Sequence, residues 1–400
     1  MRTNDALEGL TCLDCGDLFD PAAITGRCPD CDGILDPAYD YEAVELSLDG
    51  GAVGSMWRYA DVLPFPPEAA VTLSEGGTPM IPCPDLAAEW GVGEVYVKDE
   101  GRNPTGTFKD RGQSLAVTAA TQQGAEEIAL ASAGNAGQAA SAYAAAAGLD
   151  AHVFLPERAG FTQKAMVDVH GADLSVADPM SAASQIGDAG AAFEAALEDD
   201  WYPVQTFVTP YRHEGKKTMG YEILEQLDWT VPDAVVYPTG GGVGLVGIHK
   251  AARECRQFGR IEELPGLYAA QSTGCGPIVE AYEAGRDRHE PWPDVDTVCG
   301  GIAIPDPGAS DLILDAIRES DGGAVATDDD AILDAALAVA RRTGLEMAPT
   351  CASAVSGARK LAAEGEFGPD DTVVILNTGA GNKDADVLRA HAGSRRAGDD

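Results

Sequence analysis

The sequence predicts an α/β protein with a mostly parallel, helix-covered sheet, preceded by a small N-terminal module that contains two Cys-x-x-Cys pairs. From about residue 71, short apolar runs that fit buried strands alternate with Ala-rich amphipathic stretches that fit helices. Such alternation is typical of parallel sheets covered by helices. Since 45% of the 400 residues are hydrophobic, the chain can bury a large core.

The N-terminal module has the spacing of a metal site. Its four cysteines are Cys12, Cys15, Cys28 and Cys31. Two such pairs can hold one Zn²⁺ in a tetrahedron of thiolates, and four protein ligands make a metal structural rather than catalytic. A redox dithiol, or a knuckle that has lost its metal, is the alternative. We predict a zinc ribbon over residues 1–40 and a linker over residues 41–70. Cysteines without such spacing are predicted to be small buried residues: Cys83, Cys255, Cys275, Cys299 and Cys351.

Strands and helices then follow in order. The apolar runs predict strands at Glu94–Val97, Ile128–Ser132, Ala151–Leu155, Ala234–Tyr237, Leu267–Gln271 and Thr372–Leu376. The amphipathic stretches predict helices at Gly112–Gln123, Gly137–Ala147, Thr218–Gln226, Leu245–Arg256 and Asp329–Arg342. Because ligands bind at the carboxyl ends of strands in open α/β sheets, the loops that follow strands are candidate sites.

The first such loop ends at Lys109, near which a helix begins. The positive end of a helix dipole lowers the pKa of a nearby amine, because it disfavours the protonated form. A lysine that forms a Schiff base needs such a lowered pKa. The alternative is a surface lysine paired with Asp110.

The second loop, residues 131–138, consists mainly of small residues. It is thin enough for a flat ring to lie against it, and Asn135 offers a side-chain donor. The alternative is an ordinary strand–turn–helix in which Asn135 caps the helix.

The third loop, Pro238–Gly244, is rich in glycine and precedes a helix, which predicts an anion site made of backbone N–H groups. The run Gly242-x-Gly244-x-x-Gly247 also matches the dinucleotide fingerprint, so a nicotinamide-dependent oxidoreductase is an alternative. Against it, the next strand ends in Gln271-Ser272, without the acidic residue that would bind a ribose.

Charge limits the partners. The 65 acidic and 27 basic residues give a net charge of −38, which would repel nucleic acid and anionic membranes. Because the acidic residues are spread along the chain, we interpret them as an adaptation to a salt-rich cytoplasm. No segment fits a signal peptide or a membrane span, so a cytoplasmic location is expected.

Five ordered motifs resemble the fold-type II pyridoxal-phosphate enzymes, and among them the threonine synthases. Asn103–Arg111 resembles the family's Asn-Pro-Thr-Gly-Ser-Phe-Lys-Asp-Arg stretch, with Thr107 in place of Ser. The other four motifs are Ser132–Gly137, Glu214–Ile223, Pro238–Leu245 and Asn377–Gly381. The resemblance covers about residues 10 to 385, and a zinc ribbon also occurs in many members.

The resemblance implies a role for each loop. Lys109 would bind pyridoxal phosphate as a Schiff base and then move protons. Asn135 would hydrogen-bond the cofactor's 3′-oxygen, and Thr378 would offer its hydroxyl to the pyridine nitrogen. The cofactor phosphate would be bound by Thr239, Gly240, Gly241, Gly242, Val243 and Gly244. Substrate would be bound by Ser132, Lys98, Thr105 and Arg111.

It also implies a fold and a reaction. The fold has two open twisted, mostly parallel sheets in two domains with the cofactor between them, and the protein is a homodimer. The large domain comprises residues 71–111 and 206–390, the small inserted domain residues 112–205, and a charged tail residues 391–400. The reaction converts O-phosphohomoserine and water into threonine and phosphate, so a phosphorylated amino acid is the expected substrate.

Two departures from the family pattern concern the substrate. Ala136 stands where many synthases carry a Thr that helps hold the substrate phosphate, and Ala348 and Thr350 flank Pro349 without the acidic residue of other members. A threonine or serine dehydratase, a synthase with another nucleophile, and a non-catalytic relative are therefore alternatives. Basic residues that could bind a phosphorylated substrate, or else pair with acids, are Lys98, Arg111, Arg212, Lys216 and Lys217.

Overall fold

The computed structural model describes residues 1–47, 54–177, 187–198 and 200–398. Parts of the predicted linker and of the predicted small domain, residues 48–53, 178–186 and 199, lie outside the described residues. The strands are β1 (Leu7–Cys12), β2 (Leu18–Phe19), β3 (Leu35–Tyr39), β4 (Met80–Pro82), β5 (Glu94–Asp99), β6 (Glu127–Ala131), β7 (Asp150–Pro156), β8 (Asp173–Ala177), β9 (Tyr202–Pro203), β10 (Ala234–Pro238), β11 (Gly266–Ser272), β12 (Gly323–Thr327) and β13 (Thr372–Asn377).

The helices follow the strands in the α/β order. They are α1 (Pro84–Trp90), α2 (Lys109–Gln122), α3 (Asn135–Ala147), α4 (Phe161–Val169), α5 (Gly187–Ala196), α6 (Tyr211–Lys216), α7 (Thr218–Gln226), α8 (Val243–Gln257), α9 (Pro277–Glu283), α10 (Ser310–Glu319), α11 (Asp329–Thr343), α12 (Pro349–Glu364) and α13 (Ala385–Gly398). Within the part of the chain that is described, no helix is long and apolar enough to cross a membrane.

The chain divides into two compact units. Unit 1 comprises Met1–Gly77 and Asn103–Tyr221, and unit 2 comprises Thr78–Arg102 and Glu222–Asp400. Each unit is therefore built from two separate segments of the sequence.

Unit 1 contains two sheets. The first is an antiparallel ribbon in the order β2-β1-β3, and the second is a parallel sheet in the order β8-β7-β6-β9. The Ala-rich helix α3 packs on β7, because small residues allow a close approach. A Cβ added to Gly137 of α3 would lie 2.6 Å from Cγ1 of Val153. Buried aliphatic side chains such as Ile128, Leu130 and Val153 form the core of this sheet.

Unit 2 contains a six-stranded sheet in the order β12-β11-β10-β13-β5-β4, in which only the edge strand β4 is antiparallel to its neighbour. Helix α12 packs across the middle strands with small buried residues such as Ala354 and Ala358. Since β5, β10 and β13 are parallel, their carboxyl ends lie at one edge of the sheet, where the loops after them begin.

The structure confirms the predicted fold class, and all the predicted strands and helices are present. Three helices begin earlier than their apolar periodicity indicated: α2 at Lys109 rather than Gly112, α3 at Asn135 rather than Gly137, and α8 at Val243 rather than Leu245. The start of α2 agrees with the loop pattern, which placed a helix start near Lys109. The residues that precede the three predicted starts are mostly polar or small, and such residues do not contribute to an apolar stripe.

The C-terminal segment, residues 391–400, is helical as far as Gly398 in α13. There His391 and Arg395 contact Asp334 of α11, with Nε2–Oδ1 and Nη2–Oδ2 distances of 2.8 and 2.5 Å. The last two residues lie outside the described part.

Candidate active site

Lys109 is the first residue of α2, so the positive end of the helix dipole lies at its backbone. Its side chain is half-buried, and its Nζ lies 4.4 Å from the centre of the Phe108 ring. The fully buried Lys216 of α6 places its Nζ 4.4 Å from the same ring centre and donates to the Phe108 carbonyl. Two lysine side chains and a helix start at one ring favour an anionic ligand there.

Asp110 fixes the loop that leads to Lys109. Its carboxylate accepts hydrogen bonds from the backbone N–H and the hydroxyl of Thr105, at 2.7 and 2.5 Å. Burial raises the pKa of Asp110 to about 7, although these bonds and the charge of Lys216 act in the opposite direction. Thr105, predicted to contact substrate, is thus also the residue that holds Asp110.

Helices α2 and α6 cross at two glycines. A Cβ on Gly112 would lie 2.7 Å from the Arg212 carbonyl oxygen, and one on Gly215 would lie 2.3 Å from the Arg111 carbonyl oxygen. This close approach buries both arginines. The guanidinium of Arg111 donates to the hydroxyl of Thr218 at 3.0 Å.

Arg212 has an incomplete set of partners. Its Nη1 donates to the Val204 carbonyl at 2.7 Å, while Nε and Nη2 are buried and have no hydrogen-bond partner among the described residues. Burial lowers the pKa of Arg212 to about 10. A buried guanidinium with two unused donors is suited to an anionic ligand, because leaving such donors unpaired costs free energy.

The loop after β6 is closed by Ser132. Its Oγ accepts from the backbone N–H groups of Gly134 and Gly137, at 3.0 and 3.1 Å. The alternative in which Asn135 caps the helix is wrong: the cap residue is Gly134, at φ 143°, and Asn135 is the first residue of α3. The Asn135 side chain is half-buried, and its Oδ1 accepts from Nε2 of Gln163 at 3.3 Å.

The glycine-rich loop in unit 2 joins β10 to α8. Gly242 is the cap residue of α8, at φ 69°, and a Cβ there would lie 2.2 Å from Cδ1 of Ile313. A Cβ on Gly244 would lie 2.3 Å from the Tyr237 hydroxyl, whereas one on Gly241 would meet no atom within 4 Å. Since the first N–H groups of a helix have no partner within it, this loop fits a phosphate.

Thr239 and Gln271 hold the base of this loop. Thr239 donates from its hydroxyl to the Tyr237 carbonyl at 2.9 Å, and Nε2 of Gln271 donates to the Thr239 carbonyl at 3.0 Å. The Gln271 Oε1 accepts from the N–H groups of Ile278 and Val279, at 2.9 and 3.1 Å. The side chain at the position where a dinucleotide enzyme binds the ribose is thus used within the fold, which argues against the nicotinamide alternative.

Thr378 follows β13 and is buried. Its Oγ1 lies 3.3 Å from Sγ of Cys351, which also donates to the Gly379 carbonyl at 3.4 Å. Burial raises the pKa of the Cys351 thiol to about 11, so it stays protonated at neutral pH. Cys351 is buried, as its lack of metal spacing predicted, but its contact with a candidate site residue could not be read from the sequence.

Lys98 lies at the end of β5 and is fully buried in unit 2. Its Nζ donates to the carboxylate of Glu222 at 2.6 Å, to the Thr78 carbonyl at 2.7 Å and to the side-chain oxygen of Gln226 at 2.9 Å. An ammonium has three N–H donors, so any phosphate at Lys98 would compete with these acceptors.

The four N-terminal cysteines converge. Their Sγ atoms all lie within 4.8 Å of one another, with Cys12–Cys31 at 3.5 Å and Cys15–Cys28 at 3.8 Å. Zn–S bonds of about 2.3 Å in a tetrahedron place sulfurs about 3.8 Å apart. A Cβ on Gly33 would lie 2.6 Å from the Cys12 sulfur, so a glycine is required beside the cluster. The donor set and its spacing fit zinc.

Comparisons with known proteins add to this geometry. Residues 71–379 match a family described as "Pyridoxal-phosphate dependent enzyme". A threonine synthase of Methanosarcina acetivorans is 37% identical over 382 residues, which cover 95% of this chain and 93% of that protein. One of Methanocaldococcus jannaschii is 36% identical over 383 residues, covering 94% and 93%. The solved structure of the processed form of threonine deaminase isoform 2 from Solanum lycopersicum has a TM-score of 0.66 at 21% identity, covers 79% of this chain and 83% of that one, and shows a shared fold.

Proposed function

Because this chain belongs to the pyridoxal-phosphate dependent enzyme family, and within it to the threonine synthases, we propose that it converts O-phosphohomoserine and water into threonine and phosphate. The proposal is supported by one feature in each unit: a lysine at the start of α2 in unit 1, and a glycine-lined helix start at α8 in unit 2 that fits a phosphate. Pyridoxal phosphate carries both an aldehyde for the first and a phosphate for the second.

The family resemblance gives each cofactor contact. Lys109 would bind the aldehyde carbon, and the N–H groups of Gly240–Gly244, with Thr239, would bind the phosphate. Asn135 would donate to the 3′-oxygen, and Thr378 would offer a neutral hydroxyl to the ring nitrogen. When bound, the cofactor withdraws electrons from the bonds around the substrate's α-carbon, which allows a leaving group to depart.

The chain's own residues then handle protons and charge. The Lys109 amine would take a proton from the substrate carbon and return it. A hydroxyl at the ring nitrogen does not force its full protonation, unlike a carboxylate.

For the substrate, we keep Ser132, Lys98, Thr105 and Arg111 as proposed ligands and add Arg212. Its two unused buried donors suit a phosphate or carboxylate. Arg212 would then bind the substrate phosphate in place of the threonine hydroxyl that Ala136 lacks. The Lys98 ammonium would have to share its donors with Glu222.

The assay uses protein purified in molar KCl, with O-phosphohomoserine as substrate and release of threonine and phosphate as readouts. We expect a visible absorption band and both products from the natural protein, and neither from Lys109→Ala. Lys360→Ala, at an exposed lysine of unit 2, is the matched control and should keep both. If the protein is yellow and does not convert this substrate, but forms ammonia from threonine or serine, the result would identify it as a dehydratase.

We further propose that the cysteine cluster binds one structural Zn²⁺ per chain. The support is the spacing of the four sulfurs and the absence of an open ligand position. Metal analysis of protein prepared without chelator should find one zinc, and Cys15→Ser should lose it. A metal-free natural protein would exclude a zinc ribbon.

We also propose that the protein is a homodimer, as the family resemblance implies. Its net charge of −38 supports the further proposal that it works in a salt-rich cytoplasm. Sedimentation in molar KCl that gives the mass of one 41.4 kDa chain would exclude the dimer.

A further inference from the structure

Gln163 of α4 is a buried residue whose side chain forms a hydrogen bond outside its own helix. Its Nε2 donates to Oδ1 of Asn135 at 3.3 Å, and the residue is only 5% exposed. Its Oε1 is buried without a hydrogen-bond partner among the described residues. A buried amide oxygen without a partner costs free energy, so an apolar side chain of similar size would be more stable here.

Two glycines make room for this side chain. A Cβ on Gly160 would lie 2.2 Å from Oε1 of Gln163, and one on Gly134, at φ 143°, would lie 3.1 Å from Cγ. Gly134 belongs to the loop of Asn135 and Gly160 is the cap residue of α4. Both segments are therefore shaped to admit a glutamine between them.

The bond fixes which way the Asn135 amide faces. An asparagine amide has an acceptor oxygen on one side and a donor nitrogen on the other, and either can face a ligand after a flip. Because Gln163 donates to Oδ1, the nitrogen Nδ2 is left as the atom directed to another acceptor. The 3′-oxygen of pyridoxal phosphate is such an acceptor.

We propose that Gln163 is a positioning residue that holds the Asn135 amide with its N–H groups toward the cofactor's 3′-oxygen. The inference rests on the proposed function, since it assigns Asn135 to that oxygen. Gln163 acts through Asn135 and does not itself touch the cofactor.

The test measures binding of pyridoxal phosphate to apoprotein, by visible absorbance and tryptophan fluorescence. Gln163→Met removes the donor at nearly constant volume, and Gln163→Glu keeps the shape but offers no N–H when ionised. We expect both to weaken binding roughly tenfold or more, as loss of a hydrogen bond to a charged oxygen does. The pH midpoint of the visible band should move upward, because the ionised 3′-oxygen loses a donor.

A double-mutant cycle with Asn135→Ala separates positioning from packing. If Gln163 acts through Asn135, Gln163→Met should weaken binding no further once Asn135 is alanine. The apoprotein melting temperature of Gln163→Met should be equal or higher, because an unpartnered buried oxygen is removed.

Gln123→Met is the matched control. Gln123 also donates to partners from another segment, the Pro21 and Ile24 carbonyls, and also has a buried unpartnered Oε1. It should lose stability but leave cofactor affinity unchanged. Unchanged affinity in both Gln163 variants, or full additivity with Asn135→Ala, would overturn the inference. A natural apoprotein that binds no pyridoxal phosphate would instead overturn the proposed function.

Discussion

The Lys98 ammonium donates to Glu222, Thr78 and Gln226, and among these three acceptors the Glu222 carboxylate is charged. Both charged groups are almost completely removed from water, with side-chain exposures of 0% and 3%. Such a pair contributes little net stability compared with an apolar pair, because desolvation of two charges offsets their attraction. Removal of one partner is a different case, since the other charge stays buried without the opposite charge that it pairs with.

Lys98→Met should therefore lower the free energy of unfolding by about 3–5 kcal/mol. The double variant Lys98→Met/Glu222→Leu should recover most of this loss. Arg288→Met, which breaks an ion pair whose arginine is 72% exposed, is the control and should cost at most about 1 kcal/mol. Equal losses in the three variants, measured by denaturant unfolding, would contradict this account. If Lys98 also binds substrate, the double variant would regain stability but not activity.

For individual residues, the sequence predicted which of them lie at the strand ends, but not which side chains they contact. Lys98 and Glu222 lie far apart in the sequence, and no periodicity links them. The same holds for Cys351 beside Thr378 and for Gln163 beside Asn135. Side-chain partners depend on how elements pack, whereas a motif records only neighbours along the chain.

Among the elements, the β10–α8 connection has the most stringent steric requirements. Gly242 has a left-handed backbone and faces Ile313, and Gly244 faces the buried hydroxyl of Tyr237. Burial raises the pKa of Tyr237 well above its ordinary value, so this hydroxyl stays neutral. Gly241 has neither constraint.

Gly244→Ala should lower the free energy of unfolding by about 1–3 kcal/mol, because its methyl group would overlap the Tyr237 oxygen. Gly241→Ala is the matched control, and chemical denaturation should find it within about 0.5 kcal/mol of the natural protein. Weaker cofactor binding by Gly241→Ala at unchanged stability would support the proposed phosphate site. A stable Gly244→Ala would show that α8 can shift to admit a methyl group.

The sequence predicted elements with strong apolar patterns and left others unassigned. Strand β12 (Gly-Ala-Val-Ala-Thr) has little bulk, and α12 contains many small residues, so neither has a clear apolar stripe. Both are nevertheless part of the packed structure of unit 2: β12 is an edge strand of the sheet, and small residues allow α12 to lie close to that sheet. The secondary structure of such elements is determined by tertiary packing rather than by an apolar pattern in the sequence.

For the whole molecule, the net charge of −38 dominates behaviour in solution. Self-repulsion at this charge destabilises the compact state, and salt reduces its range from about 10 Å at 0.1 M to about 3 Å at 1 M.

We expect the melting temperature to fall when KCl is lowered from 2 M to 0.1 M. Each kcal/mol lost should lower it by about 2–4 °C in domains of this size. Sucrose at matched osmolality serves as the control, because it screens no charge. A melting temperature that is the same at both salt concentrations would contradict adaptation to a salt-rich cytoplasm.

Strand β13 joins β10 to β5 in the six-stranded sheet, although the ribosome makes it after the other five strands of that sheet. Because protein synthesis proceeds at about 5–20 residues per second, β13 becomes available to pair with β5 only on the order of tens of seconds after β5 is made. Until then the sheet of unit 2 exists in two pieces, β12-β11-β10 and β5-β4, with exposed edges that invite pairing with other chains. A premature stop just before β13 would therefore leave these edges unpaired and the protein prone to aggregate, although the residues of unit 1 are complete.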